Sequence, residues 1–254
     1  MVLGDGTSRS ARALLAASIF AVALASAAEA RVSLVATGTT SIVFLDITTR
    51  EPAARLPLPG PARAVAVAPD GRRGYVAAGP EVVALDVNNR TEAGRTAFGV
   101  APAIADIELS RSGRALYVVQ GTRLLVLDAT TLTTTAAIDL RAEGGQLAVG
   151  GAGGTAAAVV LANGRVAIVS LPDKRLLRRV KVKGATGVAI DDRTTTWVTT
   201  RGRLHAIAHG RRRARKRPIA LPRRSWTCPA AGSSAWRRAA GLDAARGIGT
   251  PAGS

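Results

Sequence analysis

From residue 32 onward, apolar residues come in short runs, about 4–7 long and rich in Val and Ile. Gly, Asp, Thr and Pro break the runs. No stretch sustains a 3.6-residue period, so the pattern is that of strands and turns rather than amphipathic helices. The chain after residue 31 is therefore predicted to be all-β, with essentially no helix.

The runs are copies of one another. Ile42-Val43-Phe44-Leu45-Asp46 recurs as Val82-Val83-Ala84-Leu85-Asp86, as Leu124-Leu125-Val126-Leu127-Asp128, as Val166-Ala167-Ile168-Val169-Ser170 and as Leu204-His205-Ala206-Ile207-Ala208. Successive copies start 40, 42, 42 and 38 residues apart. A second marker keeps the same phase. Tyr75-Val76-Ala77-Ala78-Gly79 returns as Tyr117-Val118-Val119-Gln120-Gly121, with weaker copies at Leu34–Gly38, Ala158–Leu161 and Trp197–Thr200. A third is the turn Pro69-Asp70-Gly71, echoed by Arg111-Ser112-Gly113. A period near 40 residues holding several short strands predicts a β-propeller array. Each unit would bury against its neighbours faces it cannot bury alone.

The repeated polar residues fit turns. Asp46, Asp86 and Asp128 each end an apolar run, and each precedes a small or apolar residue and a polar pair. An Asp there can accept a backbone N–H two residues on and close an Asx-turn. Asp70-Gly71 and Ser112-Gly113 read as hairpin turns, with Gly71 and Gly113 supplying positive φ. A ring of Asp ligands is the functional reading of the same repetition. Turn capping once per unit is the simpler one.

Charge and composition divide the chain into three. The 254 residues carry a formal charge of +18, unevenly placed. Residues 31–170 hold 13 Arg/Lys against 11 Asp/Glu, whereas 210–254 hold 11 against one. At the N-terminus, Arg9 and Arg12 precede an uncharged stretch, Ala13–Ala28, and Ala28-Glu29-Ala30 places small residues where a signal peptidase reads. This predicts a secretory signal over 1–30, cleaved before Arg31. An uncleaved anchor is the alternative, although the stretch is short for a membrane span. The mature chain is then secreted, periplasmic or held at the cell surface, with no transmembrane helix. A body with no Cys before Cys228 suits an oxidising compartment.

The Tyr-Val runs at Tyr75 and Tyr117, the Leu-Asp strand ends, the Pro57–Pro61 and Pro102 segments, and Val67-Ala68-Pro69-Asp70-Gly71 together resemble the YVTN-type β-propeller repeats of exported bacterial and archaeal proteins. The resemblance covers about 32–221. It implies blades of four strands. Inner strands fall at about 63–68, 103–109, 146–149 and 186–190, and second strands at about 33–37, 74–78, 115–119, 156–161 and 196–200. Third strands fall at about 41–46, 81–87, 122–128, 165–170 and 203–208, and outer strands at about 53–58, 94–98, 135–140, 175–182 and 218–221. Later copies depart from the pattern, with Gly150–Gly154 in place of Pro-Asp-Gly and Ala158 or Trp197 at the Tyr position. The register gives one incomplete blade at 33–58 and four fuller ones, about four to five in a ring that is not closed.

The repeat region is assigned to 31–209, extending weakly to 222, and 223–254 are expected to form a basic disordered or out-of-frame tail. Residues 210–254 contain no Val, the only Cys and two of the three Trp. Three readings of this end are open. Arg211, Arg212, Arg213, Arg215, Lys216 and Arg217 could contact a polyanion such as a cell-surface polymer. The segment could be an ordinary solvated tail, or an out-of-frame continuation of a GC-rich gene. Nucleic acid is a poor match, since no aromatics interleave with the basic run.

Candidate chemistry is sparse. His205 and His209 are two ligands without a third, so no metal site is expected. No phosphate loop follows the Gly-rich segments. Glu108, Asp139 and Glu143 stand scattered, with no paired-carboxylate geometry to argue. Lys174–Lys183 reads as a charged edge strand, with a polyanion site as the alternative. No catalytic residue and no cofactor is assigned. The function expected is an exported, non-catalytic propeller scaffold that binds a protein, glycan or small ligand. The alternatives are a fragment of a propeller enzyme (a lactonase-like hydrolase or quinoprotein subunit) and a truncated or frameshifted product without activity of its own.

Overall fold

The computed structural model describes residues 32–99, 102–208 and 217–220. The expected signal with its Ala28, Ala30 and Arg31 junction, the basic residues 211–216 and the tail 223–254 lie outside them.

Among the described residues nineteen strands form five antiparallel sheets in chain order, with no helix. Sheet one holds β1 (Val32–Ala36), β2 (Ser41–Asp46) and β3 (Pro52–Pro57). Sheet two holds β4 (Ala62–Val67), β5 (Arg73–Ala78), β6 (Glu81–Asp86) and β7 (Thr91–Ala97). Sheet three holds β8 (Ile104–Leu109), β9 (Ala115–Gln120), β10 (Arg123–Asp128) and β11 (Thr134–Asp139). Sheet four holds β12 (Gly144–Gly150), β13 (Ala156–Leu161), β14 (Arg165–Ser170) and β15 (Arg175–Lys181). Sheet five holds β16 (Ala185–Ile190), β17 (Thr195–Thr200), β18 (Arg203–Ala208) and β19 (Arg217–Ala220). Within every sheet the strands lie in sequence order, each paired with the next.

Burial follows strand position. The middle strands β5, β6, β9, β10, β13 and β14 are buried along most of their length, hence their unbroken apolar runs. Outer strands such as β7 alternate between exposed and half-buried residues. Four apolar clusters fill the gaps between successive sheets. Phe44 and Leu85 join sheets one and two, Tyr75 and Leu127 sheets two and three, Leu124 and Val159 sheets three and four, and Ile168 and Val198 sheets four and five.

Backbone bonds repeat between sheets as well. The carbonyls of Thr39, Gly79 and Gly121, at the turns β1–β2, β5–β6 and β9–β10, accept from Ala62, Ile104 and Gly144 at the start of the next sheet's inner strand. Each inner strand carries a bulge at its start, and each third strand one against its outer partner in sheets one to four. A bulge bends and twists a strand, and placed identically it gives each sheet the same shape for stacking. Among the described residues the series has two ends: sheet one packs through β1 on β4, and no comparable packing joins it to sheet five.

Candidate functional site

The inner strands β4, β8, β12 and β16 are the free inner edges of their sheets, so half of their backbone N–H groups have no partner within the sheet. Such groups need acceptors. Pairing with the second strands aligns Ala64, Asp106, Gln146 and Gly187 at one position, and Ala66, Glu108, Ala148 and Ala189 two residues on. In sheet three both positions are acidic. Asp106 accepts from the Leu147 N–H at 2.8 Å and from its neighbour Ile107 at 2.9 Å. Glu108 accepts from the Val149 N–H at 3.1 Å. In sheet four Gln146 repeats the contact, its Oε1 accepting from the Val188 N–H at 3.2 Å. These side chains reach forward and cap the next sheet's free edge.

Asp106 and Glu108 therefore form a carboxylate pair on one strand, where the sequence reading expected scattered acids. They were missed because their partners lie 41 residues on and emerge only when the strands are set side by side. The available signal was the in-phase column itself, in which acidic or amide residues stand beside Ala and Gly. Burial pushes both acids up, against the backbone N–H groups that favour the charged form; Glu108 reaches about 7, with the charge of Asp106 adding to the rise. Glu108 also lines a cleft of about 460 Å³ between sheets two and three, beside Val67, Pro69, Ser110 and Arg111. At the adjacent turns Arg111 pairs with Asp192 of sheet five at 3.5 Å, both side chains well exposed.

A second cleft, of about 500 Å³, opens between the outer strands of sheets three and four. Asp139 and Arg141 stand on one side, Lys174, Arg175 and Arg179 on the other. Arg179 is half-buried and donates to the Arg141 carbonyl at 3.5 Å. Arg178 points the other way and donates to the Ala208 carbonyl of sheet five.

The turn residues sit as follows. Asp46 accepts from Thr48 and Thr49, Asp86 from Asn89, and Asp128 from Thr130 and Thr131, all through backbone N–H groups. These bonds hold the three carboxyls below the usual range. Asp70 accepts from the Arg72 N–H at 3.0 Å, and Gly71 and Gly113 have φ of 69° and 70°. The three strand-end Asp residues serve separate turns and are not gathered at one point. Arg217 begins β19 and pairs with Ala206. His205 lies in β18 with Thr200 Oγ1 at 3.3 Å, while His209 falls outside the described residues. No group of three metal-ligating side chains occurs among the described residues.

No family model matches the chain, and no curated protein matches it. Solved structures do. Hydrazine synthase of Kuenenia stuttgartiensis superposes with a TM-score of 0.65 at 15% identity, over 76% of this chain and 64% of that one. The Cps50 (Swd1) β-propeller domain of Myceliophteria thermophila superposes with a TM-score of 0.59 at 14% identity, over 76% and 66%. The chain thus spans just under two thirds of each. The fold is an all-β propeller array. One of these structures is an enzyme and the other a β-propeller domain, and at these identities the likeness is one of fold.

Proposed function

We propose that the chain is an exported, non-catalytic β-propeller scaffold, akin to the YVTN-type repeat proteins, that binds a protein, glycan or small ligand. The observation that carries this reading is the use made of Asp106 and Glu108. The acids that converge on the inner strands are engaged as acceptors for the next sheet's backbone, a structural duty. The leader-like residues 1–30 support export. The test is expression in a bacterial host with a C-terminal tag. A chain recovered outside the cytoplasm with a mass beginning at Arg31, binding isolated cell envelopes saturably, is the expected result. A cytoplasmic chain retaining residues 1–30 overturns export, and turnover of a lactone or ester panel overturns the non-catalytic reading.

The second reading, a propeller-type hydrolase fragment, draws on one observation. Glu108 titrates near 7 at the wall of a cleft and is thus able to give or take a proton at neutral pH. Under that reading Glu108→Gln abolishes a measurable turnover; under the scaffold reading there is none to abolish.

A further inference from the structure

Arg95 and Arg179 occupy one position in two copies of the same sheet. Arg95 lies on the outer strand of sheet two opposite Val83, and Arg179 on the outer strand of sheet four opposite Ala167. Each stands three residues after the residue paired with the penultimate position of the third strand, which is Glu92 opposite Leu85 in one and Leu176 opposite Val169 in the other. In sheet two the charge is satisfied internally: Arg95 Nε and Nη2 each meet a Glu92 carboxylate oxygen at 2.7 Å. In sheet four Leu176 stands where that carboxylate would be, and among the described residues no carboxylate pairs with Arg179. Arg55, at the same position of sheet one, is exposed to solvent. Arg179 is half-buried at the cleft with Arg141, Lys174 and Arg175.

The charge around it exceeds what an edge strand needs. Charged side chains keep such a strand from pairing with another chain, yet 174–183 carries six cations, and among the described residues the only carboxylates beside them in the cleft region are Asp173, paired with Arg175 at 3.5 Å, and Asp139 on the facing strand. The mutual repulsion of the cations is relieved by an anion, and a guanidinium takes a planar carboxylate in two parallel bonds. We propose that the cleft between the outer strands of sheets three and four binds a carboxylate-bearing polysaccharide, a polyuronate, with one carboxylate on Arg179 in the manner of Glu92 on Arg95. The ligand is a polymer because the cations are spread. Arg141 lies across the cleft from Arg179, and Lys174 and Arg175 stand at the far end of the strand, Arg175 three pairing steps and about 10 Å away across the bulge at Leu177. Leu177, exposed between them, offers an apolar contact to a sugar face.

The proposal rests on the scaffold reading and gives its ligand a chemistry and a place. The probe is labelled polygalacturonate, titrated by fluorescence anisotropy at low salt, with inorganic polyphosphate and neutral dextran alongside. The protein is the full exported chain, and a second form carries Gln at 211, 212, 213, 215 and 216 to remove the other basic run. Polygalacturonate should bind both forms, more tightly than polyphosphate, and dextran should not bind. Arg179→Gln should weaken binding at least tenfold. Leu176→Glu, which restores the internal carboxylate, should do the same while the β-type dichroism spectrum is kept. Arg95→Gln should change affinity less than twofold.

Four results overturn the proposal: no binding of polygalacturonate, binding that vanishes with the 211–216 substitutions, affinity indifferent to Arg179→Gln, or tighter binding of polyphosphate. Saturable binding to cell envelopes that survives Arg179→Gln leaves the scaffold reading standing while this proposal fails. Lactone turnover removes the scaffold reading whatever polygalacturonate does.

Discussion

Glu108 is the residue whose environment departs furthest from its solution chemistry. Its carboxyl titrates near 7 in the fold against an ordinary value of 4.5, because it is half-buried beside Asp106. A raised carboxyl pKa means that the folded chain holds a proton the unfolded chain has released. Stability then falls as pH rises through the interval from about 4.5 to about 7, and the loss is complete above it. Allowing for partial screening by solvent, the span is about 1–2 kcal/mol. Glu108→Gln keeps an oxygen for the Val149 N–H and removes the titration, so its melting temperature should be flatter between pH 5 and about 8 than the wild type's. A wild-type midpoint that rises over this interval contradicts the account. The turn residues Asp46, Asp86 and Asp128 act in the opposite sense: their lowered pKa values lend stability that is lost only as pH falls through the acid range. Tyr75 gives a second test. Its buried hydroxyl donates to the Ala129 carbonyl of the next sheet at 2.7 Å, so Tyr75→Phe should cost about 1–2 kcal/mol in a denaturant titration. At this scale the sequence was legible where the partner is two or three residues away, as at Asp46 and Thr48. It was silent where the partner is a whole sheet away, as at Glu108 and Val149.

Strands were easier to read than the contacts between them. The spans expected for the middle strands agree with β5, β6, β9 and β10 to within a residue or two, because strands buried on both faces must be apolar without a break. The outer strands were harder. β7 begins at Thr91, three residues before the expected 94, since TEAGRTA alternates small and polar residues and has no apolar run. β12 begins at Gly144, earlier than 146, and there Gly144 packs against Val119 and Val159 with no space for a side chain, so the strand starts without an apolar residue to mark it. Glycines separate the two roles an element can give them. A Cβ at Gly150 would come within 2.7 Å of the Ile190 carbonyl oxygen, a backbone atom of sheet five. Gly150→Ala must part sheets four and five and should cost about 1–3 kcal/mol. Gly94 lies in β7, where an added methyl group would meet nothing within 4 Å. There Gly94→Ala should be neutral or stabilise by up to about 1 kcal/mol, through the unfolded chain. Equal losses in the two variants, read from urea midpoints, would show that the approach of the sheets is not what decides.

Across the whole molecule each sheet is held by its neighbours, and the five do not share one core. Sheets two, three and four have a packed cluster on both faces, whereas sheets one and five share one cluster each among the described residues. In such an array stability is close to a sum of units and nearest-neighbour interfaces. Amide hydrogen exchange should therefore be slowest in β9, β10, β13 and β14 and faster in β2 and β17. Uniform protection across all five sheets would reveal a contact that joins the ends. The number of sheets and their order were legible from the repeat length, but the direction of their coupling was not. Asp106 reaches from sheet three to four and Gln146 from sheet four to five, both forward along the chain. The stack consequently has a head and a tail, as a filament of identical subunits does. A copy of sheet three or four inserted in phase after its original would find an acceptor behind it and a donor ahead of it, and one copied out of phase would find neither. Such an in-phase copy lengthens the array by a whole repeat while both of its seams keep the forward cap, and a slip of a few codons is penalised at both of them.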